Sequence, residues 1–387
     1  MNRFTKSLTR KKTTTLRNIN DILKEWGIDG NLAVAPVFTG YEHLYSEFDK
    51  FTKESYERDP EGVTQQVFDL YRSVGVVPIV YYTEQGIVEE IRSFALSSGN
   101  NVVGDRIGLG NNRGQSICRF LFPNMMTAEP KGRGSNSLRD RFWDDAKLRR
   151  AIRICFEFRD GDRLVYPTAL RRALELVTGE NVQNFKPLNA RAIAEHLCPN
   201  LWGRVYDYSA GYGGRLLGIT TSNMRYDYTC VDPNTETVAN LELLNSLVAN
   251  PGTVIQSVSE EYQPEDMDLA FSSPPYFNLE KYCDEPTQCM VRYTTLKEWF
   301  DGYVTPTMQN IHKGLNPQGV FATNIADYKS YGNKEYLVVE DWIKTAEKVG
   351  FQYQGMIKMM LNTRPGVGND KLAGREKYEG VYIFRKK

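Results

Sequence analysis

The sequence predicts an α/β fold: a mostly parallel sheet covered by helices, preceded by a further mixed α/β region. Three observations carry this prediction. Short apolar runs alternate with segments of helical period through the second half of the chain. Two of these runs stop at a carboxylate, Asp207 and Asp232, 25 residues apart. A third, residues 267–270, runs through Phe271-Ser272-Ser273 into Pro274 and Pro275. Two consecutive prolines cannot continue a ladder, because each lacks the backbone N–H and has its φ fixed.

The chain has 387 residues and equal numbers of acidic and basic side chains. That length predicts two domains, 1–165 and 166–387. No apolar run is long enough to span a membrane. Residues 1–12 are basic but lack the apolar core of a signal peptide. Six scattered cysteines, none in Cys-x-x-Cys spacing, predict reduced thiols and a cytoplasmic setting. His43, His196 and His312 are far apart, so no metal is implied.

In the first half, helices are expected at 16–26, 61–74 and 85–97, with a strand at 76–82. Residues 100–114 are rich in Gly and Asn and carry Arg106 and Arg113. Residues 130–136 form a basic loop containing Arg133, followed by Arg139, Arg141, Lys147, Arg149, Arg150 and Arg153. Residues 104–172 hold fifteen Lys/Arg against eight Asp/Glu. This excess suits phosphate binding, although Asp140, Asp144 and Asp145 offer pairing partners.

In the second half, Pro187 is suited to a helix start. Residues 204–207 read as a strand entering the glycine turn Gly211-Tyr212-Gly213-Gly214, with a helix from about Arg215. The spacing is not the dinucleotide fingerprint G-x-G-x-x-G. A strand at 228–232 ends in Asp232-Pro233, a helix covers 235–248, and a strand covers 253–256. After the double proline, a helix is expected at 295–311, a turn at 314–319 and a strand at 320–325. A helix at 336–349 and strands at 352–360 and 380–385 complete the pattern, with a basic loop at 361–379.

The turn Ser273-Pro274-Pro275-Tyr276 resembles the catalytic motif of amino-methyltransferases, which methylate cytosine N4 or adenine N6 in DNA. Asn184-Phe185-Lys186-Pro187 is similar to their motif X, and Asp207-Tyr208-Ser209-Ala210-Gly211-Tyr212-Gly213 to their motif I. The order of these partial matches is that of the family, and the combined pattern is similar to DNA methylases of phages and bacteria. The resemblance covers roughly residues 180–387. It implies a Rossmann-like methyltransferase sheet with a C-terminal antiparallel hairpin, and S-adenosylmethionine as cofactor. Phe185, Lys186, Pro187, Asp207, Ser209, Ala210, Gly211, Gly213, Asp232, Pro233 and Ser259 would line the cofactor site. Asp207 would face the methionine end, Asp232 the ribose hydroxyls and Ser259 the adenine. One departure is that Asp-Tyr-Ser-Ala-Gly stands where many relatives have Asp-Pro-Phe-x-Gly.

The implied chemistry is direct methyl transfer to the exocyclic amine of a base flipped out of double-stranded DNA. Tyr276 would stack on the base, while Ser273 and the Pro274 carbonyl accept from the amine; Pro275 stiffens the turn. The Ser form favours cytosine N4 over adenine N6. Asn278 and Glu280 would border the base, and Arg106, Arg113 and Arg133 would meet the nucleic acid. The alternatives are the same fold acting on RNA or another amine, or a non-catalytic nucleic-acid-binding module. No Pro-Cys nucleophile of the C5-cytosine type occurs. The recognition sequence and any restriction partner are not legible.

Overall fold

Side chains alternate along the strands of the second half, and this alternation sorts them onto two buried faces. The computed structural model describes residues 17–28, 32–33, 35–109, 111–130, 137–178, 181–329, 334–361 and 377–387. Nine strands form one sheet: β1 (Val102–Val103), β2 (Arg106–Ile107), β3 (Trp202–Asp207), β4 (Arg225–Asp232), β5 (Thr253–Gln256), β6 (Met267–Ser272), β7 (Leu315–Asn324), β8 (Phe351–Met360) and β9 (Tyr378–Lys386). Their order is β1-β2-β8-β9-β7-β6-β3-β4-β5. Strands β7, β6, β3, β4 and β5 are parallel to their neighbours in that run. Strand β9 is antiparallel to both β7 and β8, which is the expected C-terminal hairpin.

The helices that position the site are α1 (Pro60–Val74), α2 (Gln115–Leu121), α3 (Asp145–Glu157), α4 (Pro167–Thr178), α5 (Pro187–Leu197), α6 (Gly214–Thr220), α7 (Thr235–Leu247), α8 (Thr305–Gly314) and α9 (Val339–Val349). Their ends follow local chemistry. Pro187 opens α5, and the Asn234 side chain accepts from Thr237 N at 2.8 Å to cap α7. Gly213, at φ +73°, takes the left-handed turn that starts α6.

On one face of the sheet, Val205, Tyr228, Leu269 and Phe271 pack with α5, α6 and the core of the first half, including Phe94, Ile117 and Phe122. On the other, Tyr206, Val231, Ala270 and Phe321 meet Trp299, Met308 and Trp342. The first half thus shares an apolar core with the sheet. It also contributes β1 and β2, which join the sheet through β8.

Four expectations are corrected. The strand at 76–82 shrinks to Tyr81–Tyr82, because Pro78 interrupts the run and Ile79 N closes a tight turn on Val77 O at 2.8 Å. The turn cluster at 314–319 is not a separate turn: Gly314 closes α8, and the rest lies inside β7 as a register irregularity between Leu315 and Val320. The helix at 336–349 starts only at Val339, since Glu335–Tyr336 pairs with Tyr328–Lys329. The helix at 295–311 is a rod of Leu296–Trp299 and α8 joined by a π-helical turn, Phe300–Val304. Among the described residues, no helix is long and apolar enough to cross a membrane.

Candidate active site

The strand order reverses between β3 and β6: from β3 the chain builds outward through β4 and β5, and from β6 it builds the other way through β7. In open α/β sheets such a switch leaves a crevice beyond the carboxyl ends of the strands, where ligands bind. Asp207 ends β3, Asp232 ends β4, and Ser272 ends β6 immediately before the Ser-Pro-Pro-Tyr turn. Topology therefore brings together three elements that lie up to 65 residues apart in sequence.

Asp232 is nearly buried, and its two oxygens accept from Gly211 N at 2.9 Å and Asn234 N at 3.0 Å. A carboxylate has about four acceptor positions, so roughly two remain for a diol. Burial raises its pKa to about 6, against the lowering effect of those two N–H donors. Gly211 sits at φ +56°, and a Cβ there would meet only Ser209 O, at 4.0 Å. The turn is open on that side and a ligand can approach its backbone closely. Gly213 and Gly214 are closed instead. A Cβ on Gly213 would strike Leu244 and Phe122, and one on Gly214 would strike the Phe185 carbonyl. Residues 184–186 thus lie directly on the helix that leaves the glycine turn, and Asn184 Nδ2 donates to Tyr212 O at 3.0 Å. These features fit a nucleoside cofactor held by its ribose and by backbone.

Asp207 is fully buried and does not present its carboxylate to the crevice. It accepts from Arg215 Nε at 2.8 Å, Tyr228 OH at 2.7 Å, Ser272 Oγ at 2.6 Å and Ser209 N at 3.2 Å. These bonds make it an anchor between the glycine turn, β4 and β6. Ser259 is likewise buried, with its hydroxyl shared with Thr307 at 3.0 Å. Ser209, half-exposed, shares its hydroxyl with Tyr303 at 3.1 Å, while Ala210 is buried with its N–H on Val231 O. Pro233 is half-exposed beside Asp232.

On the acceptor side, Pro274 is buried and Ser273, Pro275 and Tyr276 are half-exposed. The Tyr276 hydroxyl accepts from Ala326 N at 3.1 Å, and its ring stands edge-on to Tyr328 at 5.0 Å. Tyr328 stacks on Tyr336 at 5.1 Å and 9°. Asn278 joins that pair, donating to Tyr336 OH at 2.8 Å and accepting from Tyr328 OH at 2.9 Å. Both ends of its amide are engaged, so it holds the aromatic wall. Glu280 accepts from Tyr282 OH at 2.6 Å. Burial raises its pKa to about 7, with Glu379 adding to the rise. The Glu379 carboxyl is also raised by burial, and the Lys186 ammonium is lowered by burial against the pull of Glu379. Lys186 therefore lies within electrostatic reach of the β9 end of the site.

Sequence reading missed Arg215, Asn324 and Glu379. Arg215 carried a signal: a cation in the first turn of a helix opposes the macrodipole and calls for a buried partner. Asn324 and Glu379 carried none, being single polar residues at strand ends.

The basic surface is partly neutralised. Arg153 pairs with Glu61 at 2.9 Å, Arg150 with Glu157 at 2.8 Å and Lys147 with Asp144 at 3.6 Å. Arg141 is fully buried and bonds Asn181, so it is unavailable to phosphate. Arg149 lies over the Phe68 ring. Arg106 and Arg113 are exposed on the segment leading into α2. Arg133, Arg364, Lys371 and Arg375 lie outside the described residues.

No protein-family model matches the chain, and no curated protein matches it in sequence. Among solved structures it is similar to the TehB-like SAM-dependent methyltransferase of Corynebacterium glutamicum, at 15% identity and TM-score 0.35, over 57% of this chain and 97% of that one. It is similar to TrmN of Thermus thermophilus at 17% identity and TM-score 0.35, over 52% and 49% of the two chains. A third is the magnesium protoporphyrin IX methyltransferase of Synechocystis with bound SAM, at 14% identity and TM-score 0.34, over 52% and 79%. Likeness at this level carries no inference about substrate or reaction.

Proposed function

We propose that this chain is an S-adenosylmethionine-dependent methyltransferase acting on the exocyclic amine of a base extruded from DNA, cytosine N4 in preference to adenine N6. The observation that carries the reading is the meeting of the glycine turn and the Ser-Pro-Pro-Tyr turn at the strand-order switch. A single side chain, Arg215, bonds both of them, reaching Ser273 Oγ at 3.0 Å.

Asp232 would hold the cofactor ribose, with the open backbone at Gly211 beside it. Phe185, Lys186, Pro187, Ser209, Ala210, Gly213, Pro233 and Ser259 would shape the surrounding wall. When bound, the cofactor would supply an electrophilic methyl group: the amine lone pair would form the N–C bond as the S–C bond breaks with its electrons passing to sulfur, and the methylated nitrogen would then release one proton to water. Ser273 Oγ and the Pro274 carbonyl accept from the amine and aim its lone pair. Tyr276, fixed by Ala326 and Tyr328, offers its ring to the flat base. Orientation of this kind lowers a barrier by on the order of 7–11 kcal/mol. Glu280 borders the base pocket. Residues 1–165 would take the target-recognition role, with Arg106, Arg113 and Arg133 on phosphates.

The test is incubation of purified protein with S-adenosylmethionine and either mixed-sequence duplex DNA or RNA, followed by nucleoside mass spectrometry. N4-methylcytosine or N6-methyladenine in DNA is the expected product. Methylation of RNA alone would move the substrate, and methylation of neither would remove the reading.

A further inference from the structure

A serine hydroxyl is a poor choice for aiming an amine. A carbonyl oxygen can only accept, but a hydroxyl also donates, and one that rotates can direct its proton onto the amine lone pair and block attack. The surroundings of Ser273 remove that freedom. Arg215 Nη1 donates to Ser273 Oγ at 3.0 Å, and Ser273 Oγ in turn donates to Asn324 Oδ1 at 3.4 Å. The Asn324 amide is oriented by its Nδ2, which donates to Gly380 O at 3.1 Å, so its oxygen faces the serine. The guanidinium is fixed in turn. Its Nε donates to Asp207 and its Nη2 to Ser209 O, its plane lies near the Phe185 ring at 5.6 Å, and the residue is almost wholly buried.

We propose that Arg215 and Asn324 are positioning residues that clamp the Ser273 hydroxyl from two sides, committing its proton to Asn324 and leaving one lone pair as an obligate acceptor for the substrate amine. The clamp lets a serine do what a side-chain carbonyl would otherwise do. It also ties the acceptor turn to the cofactor turn, since Arg215 bonds Ser209 and Ser273 at once. This inference rests on the amine-methylation reading above.

A double-mutant cycle tests it, using methyl transfer to the nucleic acid that the wild-type protein modifies. Ser273→Ala, Arg215→Lys and Asn324→Ala are measured singly and in pairs, with cofactor affinity by calorimetry and the thermal midpoint recorded for each. Lysine cannot reproduce the planar three-way fork of arginine. Each single variant is expected to lower kcat about 100-fold, as for a misplaced reacting group, with cofactor affinity within a few-fold of wild type. Asn324→Ala added to Ser273→Ala is expected to cost nothing further, and Arg215→Lys added to Ser273→Ala is expected to cost less than Arg215→Lys alone, since Arg215 also holds Asp207 and Ser209. Additive losses, or losses in cofactor affinity that match the loss in kcat, would overturn the clamp. If Arg215→Lys fails to fold, the Asn324–Ser273 cycle decides the question alone. A wild-type protein that methylates no amine defeats the proposed reaction and the clamp's role with it. An active wild type with an additive cycle defeats only the clamp.

Discussion

Replacing Asp232 by Asn tests the cofactor side of the site with a change of one atom. The carboxylate accepts from Gly211 N at 2.9 Å and Asn234 N at 3.0 Å, which take about two of a carboxylate's four acceptor positions. Hydrogen bonds to a charged group contribute about 1.5–3 kcal/mol each. An Asn keeps one acceptor oxygen and turns an amide toward an N–H, so at least one ribose bond is lost. The expected result is cofactor affinity weaker by about 100-fold, equivalent to ~2.7 kcal/mol. The pH profile sharpens the test. Burial holds the carboxyl at about 6 in the free protein, and a ribose diol binds the charged form better. Wild-type affinity should therefore be level above about pH 7 and fall by up to about tenfold per pH unit below about 6. Asp232→Asn should lack that slope. Folding stability moves in the opposite sense. A carboxyl raised from 3.8 to about 6 costs the fold roughly 3 kcal/mol once ionised, a cost that is absent at low pH and grows as pH rises through that interval. Asn escapes this cost, so the thermal midpoint of the variant without cofactor should fall little near neutral pH. Calorimetric titration with S-adenosylmethionine across that pH range reads the effect. Unchanged affinity, or a slope that survives in the variant, would refute the assignment.

Further outcomes are expected at three other places. Tyr276→Ala should cut methylation on the order of 100-fold while leaving cofactor affinity unchanged; retained turnover would end the stacking role. Gly214→Ala should destabilise the protein by about 1–3 kcal/mol in a denaturant melt, because its Cβ meets the Phe185 carbonyl, a backbone atom. An unaltered midpoint would show that this contact is slack. Arg106→Ala and Arg113→Ala should each lower the salt dependence of DNA affinity by about one phosphate contact; an unchanged slope for both would take the segment leading into α2 off the nucleic acid.

The second half was largely legible, because its signals are local. The helix at 235–247 declares itself through its apolar spacing, and β5 at 253–256 falls where expected. The first half was less so. Its strands β1 and β2 are two residues each and exist only because β8 supplies an edge. No local pattern announces such a pairing.

The sequence by itself determined the α/β class, the glycine turn, the strand-end carboxylates and the proline turn, since each depends on backbone chemistry within a few residues. Only the tertiary structure decided how each carboxylate is engaged. Asp207 and Asp232 read alike in sequence, each ending a strand, yet Asp207 is consumed by Arg215, Tyr228 and Ser272 while Asp232 accepts from two backbone N–H groups. The same holds for Ser273, whose two partners, Arg215 and Asn324, arrive from 58 and 51 residues away. The physical reason is that hydrogen-bond satisfaction in a buried site is set by which strands become neighbours, and non-local pairing leaves no periodic trace in the chain.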